Sequence, residues 1–151
     1  KQEMYLTEAV NGKNINAIEQ NKNALVRFAN EGLAVLDTIK NFDGDPSLIN
    51  SCKKMLQFYQ KEASEGIPVV TDFFMKNETF TQLKKEMDKK SSGSLTQAEV
   101  DKYNGMVKDF NAAVNGYNNT QKQLNSNRST FLNDWNNAVK QFMDRHMPYY
   151  N

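Results

Sequence analysis

One histidine, one cysteine and an Asp-Gly-Asp triplet are the residues of this 151-residue chain whose types suit catalysis or metal binding. His146 stands alone, so neither a multi-histidine metal site nor a histidine relay with a spare ligand is available. Paired with Cys52 it would form a nucleophile dyad. The heptad register sets Cys52 about level with Trp135 and Leu36, leaving His146 about 16 Å, three helical turns, beyond it. The expectation is therefore a buried structural cysteine and a solvent-facing histidine. Asp43-Gly44-Asp45 has the oxygen-rich look of a calcium loop but lacks its further ligands and runs at once into Pro46. It reads as a turn followed by an N-cap and an N1 proline. The carboxylate pairs Glu62 with Glu65, and Glu99 with Asp101, read as solvated faces. No catalytic, metal or nucleotide signature is present, and no cofactor is expected.

Two polar residues interrupt an otherwise apolar seam, and they carry the sharper functional reading. Gln121 and Arg128 occupy positions where apolar side chains belong, with Lys22, Ala29 and the Gly66 break at about the same height. On one account Arg128 snorkels out past Ala29 and Gln121 fixes the register of the helices. On the other, Lys22, Gln121, Asn125 and Arg128 line a small polar cavity, with Glu62 or Glu65 nearby, that holds an anionic ligand. That account requires Arg128 to be unpaired by any carboxylate of the protein. A further candidate is the aromatic tail, in which Tyr149 and Tyr150 either fold back on the bundle or form a patch that docks a partner.

The elements that position these residues are helices. Only three prolines occur, Pro46, Pro68 and Pro148, each beside other breaker residues, which leaves long uninterrupted stretches between them. Over the last stretch Val100, Tyr103, Val107, Phe110, Val114, Tyr117, Gln121, Leu124, Arg128, Phe131, Trp135, Ala138 and Phe142 alternate at spacings of three and four, which is a coiled-coil seam. Thr96 and Glu99 form a capping box that opens it. In the first stretch Ile15, Ile18, Leu25, Ala29, Leu36 and Ile39 repeat the spacing, and Phe28, Val35 and Phe42 widen the stripe so that this helix should meet more than one neighbour. The middle stretch carries Leu48, Cys52, Met55 and Tyr59 before Gly66-Ile67-Pro68, then Val69, Phe73, Phe80, Leu83 and Met87 after it.

Length decides how that break is used. At about 1.5 Å per residue the outer helices run about 57 and 75 Å and the two middle halves about 30 Å each, so a kinked central helix matches its neighbours and a hairpin does not. The expected fold is a single all-α domain over residues 1–151, an elongated up-down-up three-helix bundle with a kinked central helix. Its helices run over roughly 4–42, 46–65, 68–90 and 96–146. An irregular four-helix bundle is the alternative.

Composition narrows the partners. With 19 basic and 18 acidic residues the formal charge is +1, which gives no bulk attraction to nucleic acid or an anionic membrane. No run of about 18 apolar residues suggests a transmembrane segment. Asn is frequent at 20 positions and Gln adds 9, a polar surface that favours a protein partner or self-association through the stripe containing Phe28, Val35 and Phe42. The pairs Tyr103-Asn104 and Tyr117-Asn118, the Asn-, Lys- and Gln-rich heptads and the start at Lys1-Gln2-Glu3 together resemble uncharacterised helical surface proteins and lipoproteins of Bacteroidetes-type and spirochaete-type bacteria. The resemblance implies an extracytoplasmic place, in the periplasm or on the cell surface, for a chain whose signal peptide or lipid anchor has been removed. It carries no functional residue with it. The leading expectation is a non-enzymatic interaction or structural module of the cell envelope. Its rivals are a ligand-binding or sensor domain built on the polar layer, and an enzyme using Cys52 or His146.

Overall fold

The computed structural model describes residues 1–90 and 95–147, and they are helical almost throughout. Five α-helices follow one another: α1 (Gln2–Asn11), α2 (Ile15–Thr38), α3 (Ser47–Lys61), α4 (Ile67–Asp88) and α5 (Gln97–His146). Between α3 and α4 the turn Glu62–Gly66 widens to π-helical geometry. Among the described residues the only β-type pairing is a bridge between Phe42 and Asp45.

The first stretch is not one helix over 4–42, as expected, but two, the second ending at Thr38. Lys13 adopts φ 52°, and the amides of Lys13 and Asn14 donate to the carbonyls of Val10 and Ala9 at 3.0 and 3.2 Å. This is the left-handed C-terminal stop in which two amides close the last turn. The Asn14 side chain then accepts from the Ala17 amide at 3.0 Å and caps α2. The chain reverses between these two caps, and α1 folds back against α2.

The middle stretch does not reverse. The Ile67 amide donates to Glu62 O, five residues back, and the helix passes through Gly66-Ile67-Pro68 without leaving the right-handed region. Proline lacks an amide and its ring collides with the carbonyl four residues earlier; one widened turn accommodates both faults while the axis continues. Helix α5 then runs antiparallel to α3 and α4 along their whole length. Asp45 meets Arg145, Phe58 stacks on Phe131 at 4.9 Å, Gly66 faces Leu124, Phe73 stacks on Tyr117 at 4.4 Å and Phe80 on Phe110 at 4.7 Å. Every residue of the seam read over 100–142 is at least half-buried.

Close approach at Gly66 depends on its missing side chain, because a Cβ there would fall 3.0 Å from Leu124 Cδ2, whereas at Gly105 nothing lies within 4 Å. Gly105→Ala is therefore expected to stabilise the fold by about 0.5–1 kcal/mol through helix propensity alone. Gly66→Ala, with the same propensity gain, is expected to lower stability because Leu124 must give way. Thermal denaturation of the two variants side by side checks the contrast.

Fully buried apolar residues occupy only part of the length. They are Leu6 and Ala9 of α1, Ile18, Leu25 and Ala29 of α2, Phe58 at the end of α3, Ala63, Ile67, Val70 and Phe74 beyond it, and Leu124 of α5. Leu6 and Ala9 of α1 join Ile18, Leu25, Ala63, Ile67, Val70 and Phe74 in one cluster, and Ala29, Phe58 and Leu124 are buried outside it. Past Ala29 on α2, before Phe58 on α3 and after Leu124 on α5 no apolar side chain of the described residues is fully buried. There Val35, Ile39 and Leu132 are 57, 49 and 50 % exposed.

Candidate functional site

The polar layer forms where α1 meets the widened turn. Helix α3 delivers Glu62 at its C-terminal end, and the π turn keeps that side chain turned inward, with 1 % of the residue exposed. Arg128 arrives from α5 and donates through Nη2 to Glu62 Oε1. Its Nη1 donates to Asn125 Oδ1 at 3.1 Å, and its Nε stands 2.8 Å from Glu3 Oε1 of α1, at an angle that makes no hydrogen bond. One guanidinium is thus held between two carboxylates from separate helices, a fork geometry that lysine does not reproduce. Glu62 Oε2 is buried with no partner among the described residues.

Burial pushes the Glu62 carboxyl above its ordinary range, against the opposing pull of Arg128, with Glu3 adding to the rise. Burial likewise raises the neighbouring Tyr59 phenol, helped by the Glu3 and Glu62 charges. Of this ion triad Glu62 is buried while Arg128 and Glu3 are partly exposed, and it stands at a turn type that recurs at functional positions.

Gln121, Asn125 and Arg128 do share one small groove, of about 150 Å³, with Leu6, Thr7, Val10, Asn11, Ile67 and Leu124. Lys22 is not among its lining residues; it pairs instead with Glu19 of its own helix. Arg128 is engaged by Glu3 and Glu62, so the condition set for an anion cavity, an arginine with no protein carboxylate, is not met. Glu3 is the partner that sequence reasoning missed. The signal lay in Asn11-Gly12 followed by Asn14, a turn dipeptide and an N-cap that together turn α1 back toward Arg128.

A second polar cluster closes the far end. Phe42-Asp43-Gly44-Asp45 makes a turn with φ 49° at Asp43 and 76° at Gly44, closed by the Asp45 amide donating to Phe42 O at 2.9 Å. Positive φ at both central positions is the type I′ turn that Asp-Gly favours. Asp45 Oδ1 accepts from the Ser47 amide at 2.8 Å. Ser47 is the first residue of α3, but the N-cap position falls on Pro46 and not, as expected, on Asp45. Its Oδ2 accepts from Arg145 Nη2 at 2.7 Å and His146 Nε2 at 3.0 Å. His146 is therefore not solvent-facing. Its side chain is 13 % exposed and it sits between Phe42 and Phe142, with ring centroids 5.3 and 4.6 Å away.

Hydrogen bonding by His146, then by Ser47 and Arg145, holds the Asp45 carboxyl far below its ordinary range. A carboxyl lowered by folding contributes stability above its unfolded value and loses it as pH falls through the folded one. The C-terminal turns of α5 are accordingly expected to loosen only in strong acid, and Asp45→Asn to loosen them already at neutral pH. Amide exchange over residues 138–146 as a function of pH reads both effects.

The hydroxyl beside Asp45 is that of Ser47, and among the described residues no hydrogen bond joins it to His146. Ser47 Oγ accepts from Arg145 at 2.8 Å, and Cys52 lies about 10 Å further along α3. The Cys52 thiol is half-buried and burial raises its pKa, the opposite of an activated thiolate. Among the described residues no group of three or more His, Cys, Asp and Glu side chains is placed to hold a metal, and no helix is long and apolar enough to cross a membrane. Tyr149 and Tyr150 lie outside the described residues. No family model, curated protein or solved structure matches this chain.

Proposed function

We propose that this chain is a non-enzymatic interaction or structural module of the bacterial cell envelope. It would act as an up-down-up three-helix bundle of α2, the α3–α4 helix and α5, to which α1 adds a short fourth helix. The observation that carries the reading is the set of exposed large apolar side chains Phe28, Val35, Ile39 and Leu132. Apolar patches on a polar surface mark protein contacts. The ligand-binding alternative through the polar layer lacks its anchor, since Arg128 already has two carboxylate partners.

The envelope location rests on the Asn-, Lys- and Gln-rich composition and its likeness to helical surface proteins. Fractionation of the native host followed by co-purification of the full chain at several salt concentrations tests both parts. A reproducible partner in the envelope fraction is expected. A chain that fractionates with the cytosol, or that recovers nothing reproducible from the envelope, would sink the reading.

A further inference from the structure

Helix α1 is joined to α2 by only Gly12, Lys13 and Asn14, and the reversal between the two helices rests on these three residues. Lys13 holds φ 52°, a left-handed conformation that is unfavourable for any residue with a Cβ and that glycine adopts freely. Asn14 caps α2 through the Ala17 amide, a bond that exists only while the helix starts there. No proline occurs between Gln2 and Thr38, so with Lys13 and Asn14 brought to helical dihedrals α1 and α2 become one helix. Short hinges under strain invite the exchange of an element between copies of a chain.

Helical phase decides where a straightened α1 could dock. Ile18, Leu25 and Ala29, the buried residues of α2, lie within about 20° of one another at ~100° per residue. On the continued helix Leu6 and Ala9, the buried residues of α1, would stand about 120° and 180° from Ile18. They would point away from the face that α2 turns to its own bundle. The place they vacate beside Ile18, Ile67 and Val70 is filled with the same contacts by the α1 of another copy.

From this phase relation we propose that the chain dimerises by reciprocal exchange of α1, each copy's α1 completing the buried cluster and the ion triad of the other. Glu3 of one copy then reaches Arg128 of the other, in the pairing that the single chain makes with itself. Because the exchanged contacts are those of the monomer, the balance falls on the hinge and on the freedom lost in association. The hinge favours the straight form, and dilution favours the monomer. Interconversion is slow, since Leu6 and Ala9 must leave the cluster before α1 can move.

Sedimentation of the full chain from the micromolar to the millimolar range is expected to show a dimer fraction that rises with concentration. Lys13→Gly, which relieves the turn and weakens the continued helix, is expected to raise the dissociation constant of the dimer at least about tenfold. Asn14→Ala, which removes the cap, is expected to lower it by a similar factor. Neither residue belongs to the buried cluster, so both variants should keep the wild-type fold.

Cross-linking separates exchange from face-to-face association. Thr7 of α1 and Gln121 of α5 line one small groove, within reach of a short bis-maleimide. One chain carrying Thr7→Cys and another carrying Gln121→Cys, each with Cys52→Ser, are unfolded together and refolded at high concentration. The dimer fraction is expected to yield a cross-linked heterodimer on a denaturing gel. A wild-type chain that is monomeric at every concentration, a dimer that gives no such cross-link, or a Lys13→Gly chain that dimerises as readily as wild type would overturn the proposal.

Discussion

Arg128→Met is expected to destabilise the fold by about 3–5 kcal/mol, the cost of leaving a buried charge without its counter-ion. Glu62 has no exposed side-chain surface, and its Oε2 already lacks a partner, so nothing else is placed to compensate Oε1 when the guanidinium goes. Against a total stability of roughly 5–15 kcal/mol, that loss is a large share. The double variant Glu62→Leu with Arg128→Met is expected to return to within about 1 kcal/mol of the parent or above it, because buried ion pairs replaced by apolar groups of similar volume are often neutral or better.

Acid should soften the single variant's defect. The Glu62 carboxyl is raised by burial, so its ionised form costs stability. That cost is fully present above the folded-state value and gone below the ordinary value of 4.5. Urea denaturation of parent, single and double variants at neutral and mildly acid pH reads all of this. A single variant as stable as the parent would mean that water or another group already satisfies Glu62.

The second large effect is expected at α1. Leu6 is 1 % exposed, at the centre of the buried cluster with Ile18, Ile67 and Val70, and Leu6→Ala should cost about 2–5 kcal/mol through lost burial and the cavity left behind. A Leu in a terminal helix of 10 residues would ordinarily matter little, since chain ends fray. Here the helix sets Leu6 and Ala9 into the cluster that holds most of the buried apolar side chains of the described residues. Val35→Ala, at a position 57 % exposed, removes nearly as much side chain and is expected to cost less than about 0.5 kcal/mol. Comparable losses in the two variants would contradict this division of the molecule.

Much of this architecture was legible because periodicity reports burial directly. The spacing of three and four over 100–142 is met by thirteen side chains that all turn toward the other helices, and the Thr96 and Glu99 capping box forms as read. What escaped was punctuation without proline. Asn11-Gly12-Lys13-Asn14 stops one helix and caps the next, yet the left-handed residue is Lys13 rather than glycine, and the expected helix over 4–42 ran across the break. With α1 unseen as a separate helix, Glu3 had no reason to meet Arg128.

His146 was misread for a related cause. Its position near a chain end suggested solvent, but the Asp-Gly turn carries Phe42 and Asp45 back over the end of α5. A contact between residues 101 apart in sequence leaves no trace in local pattern. The break beside Pro68 was legible, and helix lengths favoured a continuing axis over a reversal, but the widening of the turn Glu62–Gly66 to π geometry left no signal in the sequence.

Native-state hydrogen exchange at single-residue resolution is the most direct test of the claim that α1 covers one stretch of the bundle and leaves the next open. The slowest amides, exchanging only through global unfolding, are expected at 18–29, 58–74 and around 124. Those at 30–38, 47–57 and 129–143 should exchange through smaller local openings. Protection at the global level along the whole of α3 and α5 would show a core that continues under the exposed stripe, and the account would fail.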